Sequence, residues 1–106
     1  MFELKMSGDK FHFVLKAANG LVILSSQMYT TKAAAMNGIE SVKTNCGSDS
    51  MYERKTAANG KFHFNVKSTN GQIIGNSQMY TSESGVTTGI DSVKKNAPGA
   101  SINEVE

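Results

Sequence analysis

The chain is poor in the devices that cross-link, anchor or export a small protein. Of its 106 residues one is cysteine (Cys46), one is proline (Pro98) and none is tryptophan. A lone thiol closes no intramolecular disulfide and supplies no multi-cysteine zinc site. Without a disulfide framework, a reducing cytoplasm is the expected compartment. Strongly apolar runs such as Leu21-Val22-Ile23-Leu24 are short, whereas a membrane helix needs about 20 residues, so no membrane partner is expected. The start, Met1-Phe2-Glu3-Leu4-Lys5, carries an acid and no apolar stretch behind it, which does not read as a signal peptide. Charge of one sign is also scarce. Eleven Lys/Arg against nine Asp/Glu give a net +2, short of the bias that marks a nucleic-acid protein.

What the chain does have is an internal repeat. FHFVLKAANGLVILSSQMYTTKAAAMNGIESVKTNC begins at Phe11, and FHFNVKSTNGQIIGNSQMYTSESGVTTGIDSVKKNA begins at Phe62. The offset is gapless, and half of the aligned positions are identical. The likeness extends outward. Phe2-Glu3-Leu4-Lys5 falls on Tyr52-Glu53-Arg54-Lys55, and Ser50-Met51-Tyr52-Glu53 falls on Ser101-Ile102-Asn103-Glu104. A strand-like segment therefore recurs at the start, the middle and the end. A half of about 50 residues buries too little of its surface to be stable alone, and two halves sharing one core escape that limit. The expectation is one domain over 1–106, made of repeat one (1–50) and repeat two (51–106), and monomeric.

Within each unit Phe11, Phe13 and Leu15 alternate with His12, Val14 and Lys16, and Phe62, Phe64 and Val66 with His63, Asn65 and Lys67. Period-two alternation predicts half-buried strands with the aromatic face inward. Asn19-Gly20, Asn59-Gly60 and Asn70-Gly71 predict tight hairpins with positive φ at both central residues. Thr30 or Thr31, and Thr81 or Ser82, are candidate helix caps. Ala35, Ile39, Val42 and Cys46 form one apolar helical stripe, and Val86, Ile90, Val93 and Ala97 the other. Gly38 and Gly89 lie inside these stripes, which predicts close approach of helix to sheet. Ser84-Gly85 in place of Ala33-Ala34 predicts fraying of the second helix. The fold class expected is α+β: two tandem β-β-β-α repeats with pseudo-twofold symmetry, one antiparallel sheet, both helices on one face, and a C-terminal strand anchored by Ile102 and Val105 closing the sheet.

The words F-x-F-x-(L/V)-K-x-x-N-G, S-Q-M-Y-(T/S) and G-I-x-S-V-K-x-N, each present twice, resemble the YegP-like family of small bacterial proteins with a domain of unknown function. The resemblance covers nearly the whole chain. It implies tandem or dimeric β(3)-α-β units forming one sheet with exchanged C-terminal strands, and it brings no activity, cofactor or catalytic residue.

Candidate chemistry is thin. His12 and His63 are repeat mates on the polar strand face, and a shared metal or anion between them is conceivable only if the sheet brings them together. Metal sites want three or four ligands, and no further His/Cys/Asp cluster is in view. Cys46 falls at a helix C-terminus, the wrong pole for thiolate activation, and Ala97 stands at its mate. Lys16 and Lys67, with Lys43, Lys94 and Lys95, offer a basic surface. Tyr29 and Tyr80 in the Gln-Met-Tyr corners offer stacking platforms, although covering the strand-to-helix corner is the plainer role for them. No phosphate-binding glycine loop and no nucleophile–base spacing occurs. The function expected is a non-enzymatic binding module of the bacterial cytoplasm, taking a protein or small ligand through the His/Lys face and needing no cofactor. Weak nucleic-acid binding through the lysines is the alternative, and an enzyme with a pocket at the pseudo-twofold seam is the third reading.

Overall fold

The computed structural model describes residues 1–105. The elements run β1 (Phe2–Ser7), β2 (Lys10–Lys16), β3 (Val22–Ser26), α1 (Lys32–Asn45), β4 (Tyr52–Thr56), β5 (Phe62–Lys67), β6 (Ile73–Asn76), α2 (Glu83–Asn96) and β7 (Ile102–Val105), with a short 3-10 turn at Asp49–Met51. All seven strands join one sheet in the order β4-β5-β6-β3-β2-β1-β7. The two meanders meet through β3 and β6, where Ser25 pairs with Asn76 and Ser26 with Gly75. Ser25 and Asn76 are repeat mates, so the pseudo-twofold axis passes between them. The seam is short and close. A Cβ at Gly75 would stand 2.5 Å from the Ser25 carbonyl oxygen.

The sheet is mixed rather than wholly antiparallel. Five neighbouring pairs are antiparallel, but β7 runs parallel to β1, with Phe2 opposite Ile102 and Leu4 opposite Glu104. Periodicity does not encode this choice. It depends on the direction from which the chain returns after α2. Ile102 packs against the core as expected, whereas Val105 is exposed, because in the register Lys5–Val105 it turns to the other face.

Both helices cover one face. Phe2, Phe13, Leu15, Leu24, Phe64 and Val66 are sealed beneath them, and the two predicted helical stripes are buried throughout. Phe11 and Phe62 are half-buried against the same core. The register slips by one residue between Leu15 and Lys16, and again between Val66 and Lys67. Such a bulge lets two successive residues share a side. Ile23 and Leu24, neighbours in β3, accordingly both enter the core, as does Ile74.

Thr31 and Ser82 are the caps, accepting from the Ala34 and Gly85 N–H groups at 3.1 Å. The second helix spans fourteen residues like the first, so the expected loss at Ser84-Gly85 is not seen. Gly85 lies directly under the Tyr80 ring, where a Cβ would meet Tyr80 Cβ at 3.1 Å. The hairpins also differ from expectation. Asn19 and Asn70 keep negative φ, and only Gly20 and Gly71 are left-handed, at φ 85° and 86°. Each is a three-residue loop in which a turn is followed by one left-handed glycine. The Asn19 and Asn70 carboxamides accept from the Leu21 and Gln72 N–H groups.

Candidate functional site: the uncovered face of the sheet

Strand alternation that sends phenylalanines to the helices sends a second set of side chains to the opposite face. From β1 and β2 come Glu3, Lys5, His12, Val14 and Lys16, and from β4 and β5 come Glu53, Lys55, His63, Asn65 and Lys67. Ser25 and Asn76 lie between them on the axis.

Each half places one carboxylate between two lysines. Glu3 Oε1 meets Lys16 Nζ at 3.1 Å and Lys5 Nζ at 3.7 Å. Glu53 meets Lys67 Nζ at 3.0 Å and Lys55 Nζ at 3.6 Å, and accepts from Asn65 Nδ2 at 3.2 Å. Hydrogen bonding from Lys67, then from Asn65, holds the Glu53 carboxyl below its usual range. These contacts fix Lys16 and Lys67 on the face and leave each half one positive charge in excess, a short stretch for a phosphate backbone.

His12 and His63 lie across from Lys5 and Lys55. Their Nδ1 atoms are buried without a hydrogen-bond partner, one in each half. The two rings do not converge. β3 and β6 separate β2 from β5, so three strand spacings, about 14 Å along the sheet, lie between them. Ligation of one ion needs both ring nitrogens within about 2 Å of it. Among the described residues no group of three or more His, Cys, Asp or Glu is placed to hold a metal ion. Val14 and Asn65, repeat mates at the centre of this face, are buried although they turn away from the helices. Alternation alone marked Val14 as exposed, and the flanking side chains of the face cover it.

Tyr29 and Tyr80 lie away from this face. Tyr29 exchanges two backbone hydrogen bonds with Phe11, at 2.6 and 2.7 Å, and Tyr80 does so with Phe62, at 2.7 and 2.8 Å. The Tyr29 ring lies parallel to Phe13 at 6.3 Å, and burial pushes its hydroxyl pKa up. Gly38 and Gly89 make room for these rings. A Cβ at Gly38 would stand 2.7 Å from the Tyr29 hydroxyl and 2.9 Å from Phe13, and a Cβ at Gly89 would strike the Tyr80 hydroxyl. Both rings are half-buried against the core, each with its hydroxyl beside a helix glycine.

Ser26 and Ser77 open the two S-Q-M-Y words, but nothing in their spacing marked a role for them. The Ser26 hydroxyl accepts from the Phe13 N–H at 2.8 Å and donates to the Gln27 carbonyl, and Ser77 repeats this with Phe64 and Gln78. Each serine turns the chain off the sheet into its corner. Cys46 is buried, its thiol donates to the Lys43 carbonyl at 3.6 Å, and burial raises its pKa. Lys94 pairs with Asp49 and lies 5.8 Å above the Tyr52 ring. Tyr52 in turn donates to the Cys46 carbonyl at 2.6 Å. The larger hollows flank the sheet ends and the helix ends, among them one of about 590 Å³ beside β7 lined by Leu4, Phe11 and Lys32. They do not lie at the Ser25–Asn76 axis. No helix of the described residues is long and apolar enough to cross a membrane.

Relatives share this architecture. The chain is 52% identical over 104 residues to UPF0339 protein YegP of Shigella flexneri, covering 97% of this chain and 94% of that protein. It is 48% identical over 104 residues, with the same coverage, to a UPF0339 protein of Pseudomonas aeruginosa. The solution NMR structure of yegP from E. coli, a protein of unknown function, superposes with TM-score 0.92 at 51% identity, covering 97% of this chain and 90% of that one. The solution NMR structure of a UPF0339 protein of Shewanella oneidensis gives 0.92 at 49%, covering 97% and 88%. Residues 7–53 and 57–104 each match the family described as Domain of unknown function (DUF1508), and the chain belongs to that family, carrying its domain twice.

Proposed function

We propose that the protein is a non-enzymatic binding module that engages its partner through the uncovered sheet face. One observation carries this reading. Glu3, His12 and Lys16 recur as Glu53, His63 and Lys67 in the same register, and no helix lies over either set. A face held rigid by its own ion pairs presents donors in fixed positions, which reduces the ordering cost of association. The face lacks a nucleophile beside a base, the arrangement covalent catalysis requires.

Amide chemical-shift mapping of the labelled protein against fractionated bacterial lysate tests the proposal. Perturbations are expected on β2 and β5, at 10–16 and 62–67. They should be lost in a Glu3→Ala/Glu53→Ala variant, whose lysines are no longer held. Perturbations confined to the helices, or none in any fraction, would remove the proposal.

A further inference from the structure

The two ends of the sheet are repeat-related, but only one is covered. At the first end β7 lies against β1. Phe2 donates its N–H to the Ser101 carbonyl at 2.9 Å, Ile102 packs on the core, and Glu104 pairs with Lys32 of α1. At the other end β4 is the last strand, and among the described residues no further strand pairs with it. Where β7 covers the first half, the second half has a hollow of about 510 Å³ between β4 and α2, lined by Tyr52, Arg54, Ile90, Asp91 and Lys94, with Asp49 closing one end. A smaller one of about 100 Å³ continues past Arg54 to Glu83 and Val86. Tyr52, Arg54, Ile90 and Glu83 are the mates of Phe2, Leu4, Ile39 and Lys32; in the first half β7 pairs along Phe2 and Leu4, and its Glu104 reaches Lys32.

We propose that this vacant seat beside β4 binds an extended segment of another protein by adding it to the sheet, parallel to β4. The molecule supplies the template, since its own β7 makes the corresponding addition at β1, and strand addition to an exposed edge is a general mode of peptide recognition. The template also sets the chemistry. The residue opposite Tyr52 occupies the place of Ile102 and meets Ile90, so it is apolar. The residue two positions on occupies the place of Glu104. There Leu4 has become Arg54, and Lys32 has become Glu83. Directly opposite strand residues interact most closely, and like charges there are unfavourable, so Arg54 selects an acid and the acid's partner moves from helix to strand. The preferred segment is apolar-x-acid. The chain's own β7 has that pattern but is engaged at β1, and the seat is separate from the uncovered face.

The probe is a synthetic peptide with the sequence of residues 99–105, GASINEV, titrated into the labelled full-length protein. Amide shifts are expected at Tyr52–Thr56 and along α2 from Thr87 to Lys94, with β1, β2 and β5 unchanged. Peptide binding should weaken about fivefold in Arg54→Glu, the loss of one cross-strand pair. It should vanish for a peptide carrying aspartate in place of its isoleucine, a control independent of the variant's folding. Four results would each overturn the proposal: no shifts at millimolar peptide, shifts on β1 showing displacement of β7, shifts on β2 and β5, or sedimentation showing that a second copy already occupies β4.

Discussion

The two halves of this chain share half of their aligned residues and nearly one backbone plan, yet they end differently. In the first half Phe2 and Leu4 are buried at the sheet end. In the second half Tyr52 and Arg54 stand at the same places, Tyr52 half-buried and Arg54 exposed. The difference follows from β7, which covers one end. An apolar side chain is stable at an edge only when something lies over it. An uncovered edge favours charged residues, because they discourage indiscriminate pairing. Duplication produced two equivalent strands, and one additional short strand gave them different environments. The centre diverged too: Leu24 fills the core where its mate Gly75 lets β6 approach β3.

The contrast between the halves predicts unequal costs for matched substitutions. Phe13 and Phe64 are the fully buried mates of the shared core. Phe13→Ala and Phe64→Ala should each cost about 3–5 kcal/mol, read from urea denaturation. Both should shift a single transition, and a second transition would show two separately stable halves. At the sheet ends, Leu4→Arg should cost about 2–4 kcal/mol, losing buried apolar contacts and forcing a charge beneath β7. The reciprocal Arg54→Leu should stay within about 0.5 kcal/mol, as an exposed change. Equal costs would erase the distinction between covered and open ends. The helix glycines should behave alike. Gly38→Leu and Gly89→Leu should each lose about 1–3 kcal/mol by overpacking, since both meet a tyrosine hydroxyl. An unchanged denaturation midpoint would refute that packing.

The smallest effect concerns pH. Glu53 has a lowered pKa from Lys67 and Asn65, and Asp49 from Lys94. A carboxylate depressed in the folded state adds stability that is complete above its unfolded value, about 4. That stability is lost as pH falls through the folded value. Melting temperature should therefore drop in acid, and Glu53→Gln should flatten part of that drop. A variant with an unaltered acid profile would show that the pair is not formed in solution.

Much of the fold was legible because it is local. Alternation in 11–16 and 62–67 set the strands and their inward faces. The apolar stripes set the helices, and Gly38 and Gly89 announced the close approach that the tyrosines require. The candidate face was legible as a set of residues but not as an arrangement. Lys16 and Lys67 read as free cations until the register brought Glu3 and Glu53 beside them, and His12 and His63 read as potential neighbours until two strands came between. Val14 was misplaced because alternation reports direction, whereas burial depends on what neighbouring strands contribute.

Local residue patterns specify the hairpins, the helices, the duplication and the side of each main strand that faces the core, since each depends on residues close together along the chain. That β7 runs parallel to β1, and that among the described residues β4 has no outer neighbour, depends on contacts between segments far apart in the chain. Four residues, Ile102 to Val105, two apolar and two polar, carry too little pattern to specify a partner. Their pairing is set by where α2 delivers the chain, and by Ile102 and Glu104 finding the core and Lys32 within reach.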